Sequence, residues 1–302
     1  MKNKLDYYIN ACKKLIDMPY NKLNLDNYQD KLLKAYSLFC LGLNETSSKS
    51  PIKLMSNQHE NAKIISSVLM NTIDKKKRNI YIVGKGILFD AGGYDLKTKM
   101  LGMKADMAGM AVAFGVSSYF DNDNIIAYCP VATNFIPNGI IPGDYIKIGT
   151  KEVEITNTDA EGRLILAEAI TNLNASKNDI IITVATLTGA CAYALGKKAT
   201  AFMTPTKEFT HAYKKASMKT GELAWRLPLW DYLQKDFNKK RIQNASKKKC
   251  GTIMAGMFLK QFIKYPNNWI HLDIASSAFD EKKNKATGEP IKTLVEFIRS
   301  LK

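Results

Sequence analysis

NIYIVGKGILFDAGGYDLK occupies residues 79–97. Its opening, NIYIV (79–83), is apolar and rich in isoleucine and valine, as expected of a strand buried on both faces. The continuation GKGILFDAGGYDLK (84–97) sets Lys85, Asp90 and Lys97 among four glycines. A strand thus runs out into a charged, glycine-rich stretch whose backbone can approach a ligand closely. Working outward, three more runs have the same strand character: IIAYCPV (125–131), DIIITVA (179–185) and WIHLDI (269–274). Helical patterns lie between and beyond them, at roughly 104–120, 161–174, 206–219 and 254–264. A last helix is predicted from Pro290 to Leu301, with the proline in its first turn. Buried strands alternating with helices predict an α/β fold, with a mostly parallel or mixed central sheet flanked by helices on both faces. The only linker-like stretch, NETSSKSP (44–51), is too short and too early to divide two domains.

In such folds ligands collect beyond the carboxyl ends of the strands. Asp90 falls there, as does Asp106 in MKADMAG (103–109), and NTDAEGRL (157–164) adds Asp159, Glu161 and Arg163. In an extended segment, alternation would put these last three on one side. Two carboxylates crowded there repel unless a cation lies between them or one takes up a proton. A solvated turn entering a helix would also favour acidic residues. The wider set decides between these readings. Four acidic groups at one sheet edge call for about two divalent cations, a pairing that activates water and clamps a hydrolytic intermediate.

Composition removes several other classes. The chain has 302 residues, 46% hydrophobic and 24% charged, which describes a globular protein with a sizeable core. No apolar run approaches the roughly 18 residues that a membrane span needs. Lysine pairs interrupt the N-terminal MKNKLDYYINACKKLIDMPY, so it is not a secretory signal. The spacing of Leu5, Tyr8, Ile9, Cys12, Leu15 and Ile16 predicts an amphipathic helix instead. Five scattered cysteines without a C-x-x-C pair indicate free thiols in a reducing cytoplasm. The net charge of +16 invites a nucleic-acid reading. However, the excess is lysine in short runs (KKKR 75–78, KKR 239–241, KKK 247–249), and arginine, which reads bases bidentately, stands at only five positions. His59, His211 and His271 form no H-E-x-x-H, and His271 inside WIHLDI reads as a hydrogen-bonded core residue. There is no G-x-S-x-G elbow, and GACAYALGK (189–197) has the wrong glycine spacing for a phosphate cradle. The methionines of KMLGMKADMAGM fit core and pocket lining.

VGKGILFDAGGYDLK, MKADMAG, NTDAEGRL, ATLTGACAYALG and HLDIASSA, in this order, resemble the motifs of the leucine aminopeptidase family (cytosol aminopeptidases, peptidase family M17). The resemblance covers the whole chain, LIDMPYNKLNLDNY (15–28) included. It implies a catalytic peptidase domain over residues 1–302, with the family's usual separate N-terminal domain absent. It also implies two divalent metal ions (Zn, Mn or Mg) held by Lys85, Asp90, Asp106, Asp159 and Glu161, with Asp90 and Glu161 shared between them. Lys85 can ligate only as the neutral amine. Lys97 is implied to stabilise the developing gem-diolate, and Arg163 to hold a bicarbonate that relays a proton. Backbone groups around Leu187 and Gly189 resemble the family's substrate-binding strand. Met103, Thr186, Gly189, Ala275 and Ala278 resemble its first specificity pocket, whose apolar character suits leucine or methionine. The implied activity is release of neutral hydrophobic N-terminal residues from peptides by a cytoplasmic homo-oligomer, hexamer or trimer, without membrane or nucleic-acid partners. The alternative is a non-catalytic, nucleic-acid-associated binding protein on the same scaffold, which would not require Lys97 and Arg163 beside the ligands. The chain departs from the common pattern in a shorter 97–106 segment, FDAGG for FDSGG, and MAGM where two adjacent small residues are usual.

Overall fold

The computed structural model describes residues 2–19, 39–41, 63–67, 73–122, 124–137, 139–173 and 175–301, so the linker-like NETSSKSP lies outside the described residues. In chain order the elements begin with α1 (Lys2–Asp17), β1 (Phe39–Leu41), β2 (Lys63–Ser66), β3 (Ile80–Gly84) and β4 (Gly86–Asp90). A 3₁₀ turn (Met103–Met107) leads into α2 (Ala108–Phe120), followed by β5 (Ile125–Asn134), β6 (Tyr145–Ile148), β7 (Lys151–Glu154) and α3 (Gly162–Asn172). Then come β8 (Ile180–Ala185), α4 (Ala190–Leu195), β9 (Thr200–Met203), α5 (Lys207–Thr220), β10 (Ala224–Arg226) and α6 (Asp231–Gln234). The chain closes with β11 (Arg241–Gln243), α7 (Gly251–Lys260), β12 (Trp269–Asp273), β13 (Phe279–Asp280), β14 (Lys285–Ala286) and α8 (Ile291–Ser300).

Nine strands form the main sheet in the order β1-β2-β5-β3-β8-β12-β9-β10, with β4 also pairing β5. Its centre, β5-β3-β8-β12, is parallel throughout. Antiparallel pairs occur at β1–β2, β2–β5 and β9–β12, so the sheet is mixed, as the alternating pattern predicts. Successive residues of the central strands enter opposite cores. Ile80, Ile82, Ile180, Ile182, Ile270 and Leu272 pack with α1, α2, α5 and α8. Tyr81, Val83, Ile181 and Trp269 pack on the other face with α3 and α7. Covering both faces is what turns these strands into unbroken apolar runs. No helix among the described residues is long and apolar enough to cross a membrane.

Two local differences from the sequence reading matter for the site. Within the glycine-rich stretch GILFD is itself a strand: Ile87 and Leu88 are fully buried, and β4 pairs with the far end of β5 after a break at Lys85. At that break the Lys85 N–H bonds Val184 O at 2.9 Å, and its carbonyl accepts the Met110 N–H at 2.8 Å. Gly84 and Gly109 serve packing here. A Cβ on Gly84 would stand 2.4 Å from Gly109 O, so the start of α2 lies directly on the β3 backbone.

Glu289, just before α8, is half-buried beside Glu222, which accepts the Thr293 N–H at 2.8 Å. Burial, then repulsion from Glu222, pushes the Glu289 pKa up from 4.5 to about 7, against the pull of Lys292, Lys198 and Lys13. Between about pH 4.5 and 7 the native state therefore binds more protons than the unfolded chain at this position, and stability falls as pH rises. Glu289→Gln should remove this part of the fall and be more stable than the parent above about pH 7. Thermal unfolding of both proteins at pH 5 and pH 8 checks it; equal losses in the two would contradict the assignment.

Candidate metal centre and substrate cavity

Lys85 stands at the carboxyl end of β3 and is 2% exposed. Its Nζ lies 2.9 Å from Asp106 Oδ1, 2.8 Å from Asp106 Oδ2, 2.8 Å from Glu161 Oε1 and 3.0 Å from Thr186 O. Asp106 is carried in by the 3₁₀ turn before α2 and also accepts the Thr186 hydroxyl at 2.8 Å. Asp90 closes β4, where its Oδ1 accepts the Gly92 N–H at 2.9 Å and Asn134 Nδ2 at 2.8 Å. Gly92, at φ 92°, turns the chain back so that the Lys97 N–H reaches Ala91 O at 3.0 Å. Lys97 Nζ then lies 2.8 Å from Asp90 Oδ2 and in contact with Asp159 Oδ1.

NTDAEGRL does not run extended, and the single-sided alternation expected for it is corrected. The Asn157 side chain accepts the Asp159 N–H at 2.6 Å, and Glu161, at φ −72° and ψ −41°, already has helical geometry as the residue before α3. Side chains along a turn entering a helix fan out instead of alternating. Asp159 therefore faces Lys97, Glu161 faces Lys85, and Arg163 points away to donate to Asn244 O at 2.8 Å. Asn244 also grips the turn. Its Oδ1 accepts the Thr156 N–H at 2.8 Å, and its Nδ2 donates to Asn157 O at 2.7 Å. The small β11-β7-β6 sheet thereby holds the segment that carries the carboxylates.

The carboxylates stay together despite this bend. Asp90, Asp159 and Glu161 each offer an oxygen within 4.8 Å of the others. With Asp106, four carboxylates meet two ammonium groups, leaving an excess of negative charge. Burial, then mutual repulsion, raises the pKa of Asp106 and Glu161 above the usual carboxylate range; burial also raises Asp159, against Lys97. Burial favours neutral amines, but the surrounding carboxylates outweigh it, so Lys85 and Lys97 are both shifted up. The ammonium groups stand where cationic charge is needed. A largely buried, oxygen-rich set with surplus negative charge fits divalent cations.

A cavity of about 270 Å³ opens onto this cluster. It brings together Lys85, Asp90, Lys97, Asp106, Asp159 and Glu161 with Met103, Thr186, Leu187, Gly189 and Ala275. Leu101, Phe279 and Glu281, which the sequence reading did not single out, line it as well. Two expected residues do not line it. Ala278 is 1% exposed and packs in the core, and Arg163 lines a separate cavity of about 410 Å³ with Asn244, Phe237 and Met254. The smaller cavity is the chemical one, because it alone meets the carboxylates. His271 is buried and its Nδ1 bonds Thr183 Oγ1 at 2.9 Å, as a core histidine. Sequence reasoning missed Asn134 and Asn244, whose partners lie far away in the chain, and also Gly162. A Cβ at Gly162 would stand 2.5 Å from Lys85 Cε and 2.8 Å from its Nζ.

A model of the cytosol aminopeptidase family, catalytic domain, matches residues 10–295. A probable cytosol aminopeptidase of Geobacter sp. (strain M21) is 40% identical over 240 residues, covering 74% of this chain and 48% of that protein. Leucine aminopeptidase 2, chloroplastic, of Oryza sativa subsp. japonica is 38% identical over 240 residues, 74% of this chain and 39% of its own. Among solved structures, the bottromycin maturation enzyme BotP in complex with Mn aligns with a TM-score of 0.84 at 26% identity, covering 99% of this chain and 70% of that one. The chain spans about half the length of the curated relatives it matches.

The crowding at Gly162 gives a direct test of the geometry. Gly162→Ala should displace the buried Lys85 side chain and lower stability by about 1–3 kcal/mol, the usual cost of overpacking. Chemical denaturation checks this, and an unchanged midpoint would mean that Lys85 is not held against α3.

Proposed function

The chain belongs to the cytosol aminopeptidase family, and from that membership we propose that it is a two-metal aminopeptidase. In this reading it releases neutral hydrophobic residues from the N-termini of peptides, in the cytoplasm and as a homo-oligomer. The observation that carries the proposal is the meeting of Asp90, Asp159 and Glu161 within 4.8 Å beside Lys85 and Asp106, at the floor of a cavity large enough for a side chain. Those five residues would hold the metal ions, which supply an activated water and polarise the scissile carbonyl when bound. Zinc, manganese and magnesium all suit such a set, and the similar bottromycin enzyme is described with Mn. Lys85 must give up its proton to act as a ligand, so metal loading is linked to proton release.

Lys97 has a different part. It is partly exposed to the cavity and keeps its charge because Asp90 and Asp159 outweigh the effect of burial. Its Nζ is a preorganised donor for negative charge developing on the substrate carbonyl. Arg163 is nine-tenths buried, and its Nε has no hydrogen-bond partner. Burial lowers its pKa to about 10, against the pull of Glu161 and Asp273, so at neutral pH it stays a cation. It faces the larger cavity, so holding a bicarbonate beside the metal ions would require its side chain to turn from Asn244. Met103, Ala275, Leu101 and Phe279 give the cavity its apolar wall, and Glu281, ion-paired with Lys197, stands on its lining.

Two outcomes test this reading. Leucyl dipeptides should be cleaved faster than matched aspartyl or glutamyl ones, and the reverse order in steady-state kinetics would refute the pocket. Asp159→Ala and Glu161→Ala should lose bound metal and activity together. Lys97→Ala should keep its metal and lose about 10²–10³ in kcat, the usual effect of removing one such donor. Metal analysis beside kinetics separates the two kinds of variant. A Lys97→Ala protein without metal, or a Glu161→Ala protein with full metal and activity, would overturn the assigned roles.

A further inference from the structure

ATLTGACAYALG (185–196) and HLDIASSA (271–278) supply no carboxylate or amine to the metal cluster, yet they meet at one buried carboxylate. Asp273 ends β12 and is fully buried. Its Oδ1 accepts the backbone N–H groups of Leu187 at 3.2 Å, Thr188 at 3.4 Å and Ala275 at 3.2 Å. Its Oδ2 accepts the Thr188 hydroxyl at 2.6 Å. Because Thr188 spends its proton on Asp273, the 2.6 Å contact between the Thr188 and Thr252 hydroxyls makes Thr252, on α7, the donor to Thr188.

The topology explains why a carboxylate stands here. Asp273 is in register with Ala185 at the ends of the parallel strands β12 and β8. The Ile274 N–H makes the last bond of the ladder, to Ala185 O at 2.8 Å, and beyond it the two chains part. Their next amides would be left without partners behind the cavity wall, a costly arrangement for buried N–H groups. One carboxylate accepts from them all, and these hydrogen bonds counter the burial that raises its pKa. In front of it, Thr186, Leu187, Gly189 and Ala275 line the cavity, and Thr186 O bonds Lys85 Nζ at 3.0 Å. Asp273 itself does not line the cavity.

We propose that Asp273 is a positioning residue: its carboxylate locks the 187–188 strap and Ala275 into one rigid wall, and so sets the backbone that receives the peptide. This role rests on the aminopeptidase reading for its consequence but not for its geometry, and the test separates the two. Metal-loaded wild type, Asp273→Ala, Asp273→Asn and Thr188→Val are compared by amide hydrogen exchange and by kinetics on leucyl peptides. In Asp273→Ala, exchange at Leu187, Thr188 and Ala275 should rise at least about tenfold while the β8 and β12 ladders keep their protection. KM should rise about tenfold with a smaller change in kcat, the pattern of lost binding geometry. Asp273→Asn should restore part of both, since its amide oxygen still accepts from the three N–H groups. Thr188→Val, which removes only the hydroxyl link, should loosen Thr188 most. Should Asp273→Ala fail to fold, the Asn and Val variants carry the test. Unchanged exchange at the three amides in the folded variants, or an equal rise over the whole sheet, overturns the proposal. A wild type without peptidase activity would refute the aminopeptidase reading, while the exchange data would still decide the positioning role.

Discussion

Three buried carboxylates and the partly exposed Asp159 meet two ammonium groups at the sheet edge, and the surrounding structure is arranged to hold that imbalance. At an effective dielectric constant near 20, two like charges about 4 Å apart repel by about 4 kcal/mol. Side chains free to move would part. Here each is tied from behind. Asp90 is held by Asn134 and the Gly92 N–H, and Asp106 by the Thr186 hydroxyl. Asp159 is fixed through its own backbone by Asn157, and Glu161 by its place at the start of α3. These bonds keep the acids in place, so that neutralisation must come from proton or metal.

The same constraint accounts for how closely the elements pack around Lys85. Its amine reaches three segments only because β3 is broken at that residue and α2 begins directly over it. Gly109 and Gly162 leave the space: a Cβ on Gly109 would stand 2.2 Å from Val184 O, and one on Gly162 would meet Lys85 itself. In MAGM the glycine is thus the position where size matters, and the flanking methionines fill the core. Farther out, Asn244 and Asp273 do for the 156–163 and 186–189 segments what the parallel ladder cannot do beyond its last bond. Each replaces regular pairing with a side chain that collects several backbone groups.

What could be read in the sequence by itself was whatever is written locally. The central strands are buried on both faces, so Ile80–Val83, Ile125–Val131 and Ile180–Ala185 appear as apolar runs, and the fold class follows. Six charged residues of the cavity were legible too, because they fall in the motifs that follow the strands, whereas Glu281 was not. Local pattern misled where two conformations share one spelling. NTDAEGRL alternates like a strand, but Asn157 caps a turn that swings Arg163 away from the two acids. Tertiary structure alone decided that Asn134 would steady Asp90 across 44 residues, that Asn244 would meet Arg163 across 81, and that Asp273 would receive Thr188 across 85. The reason is physical: periodicity records which face of an element is buried, whereas a hydrogen bond between distant segments leaves no period in either one.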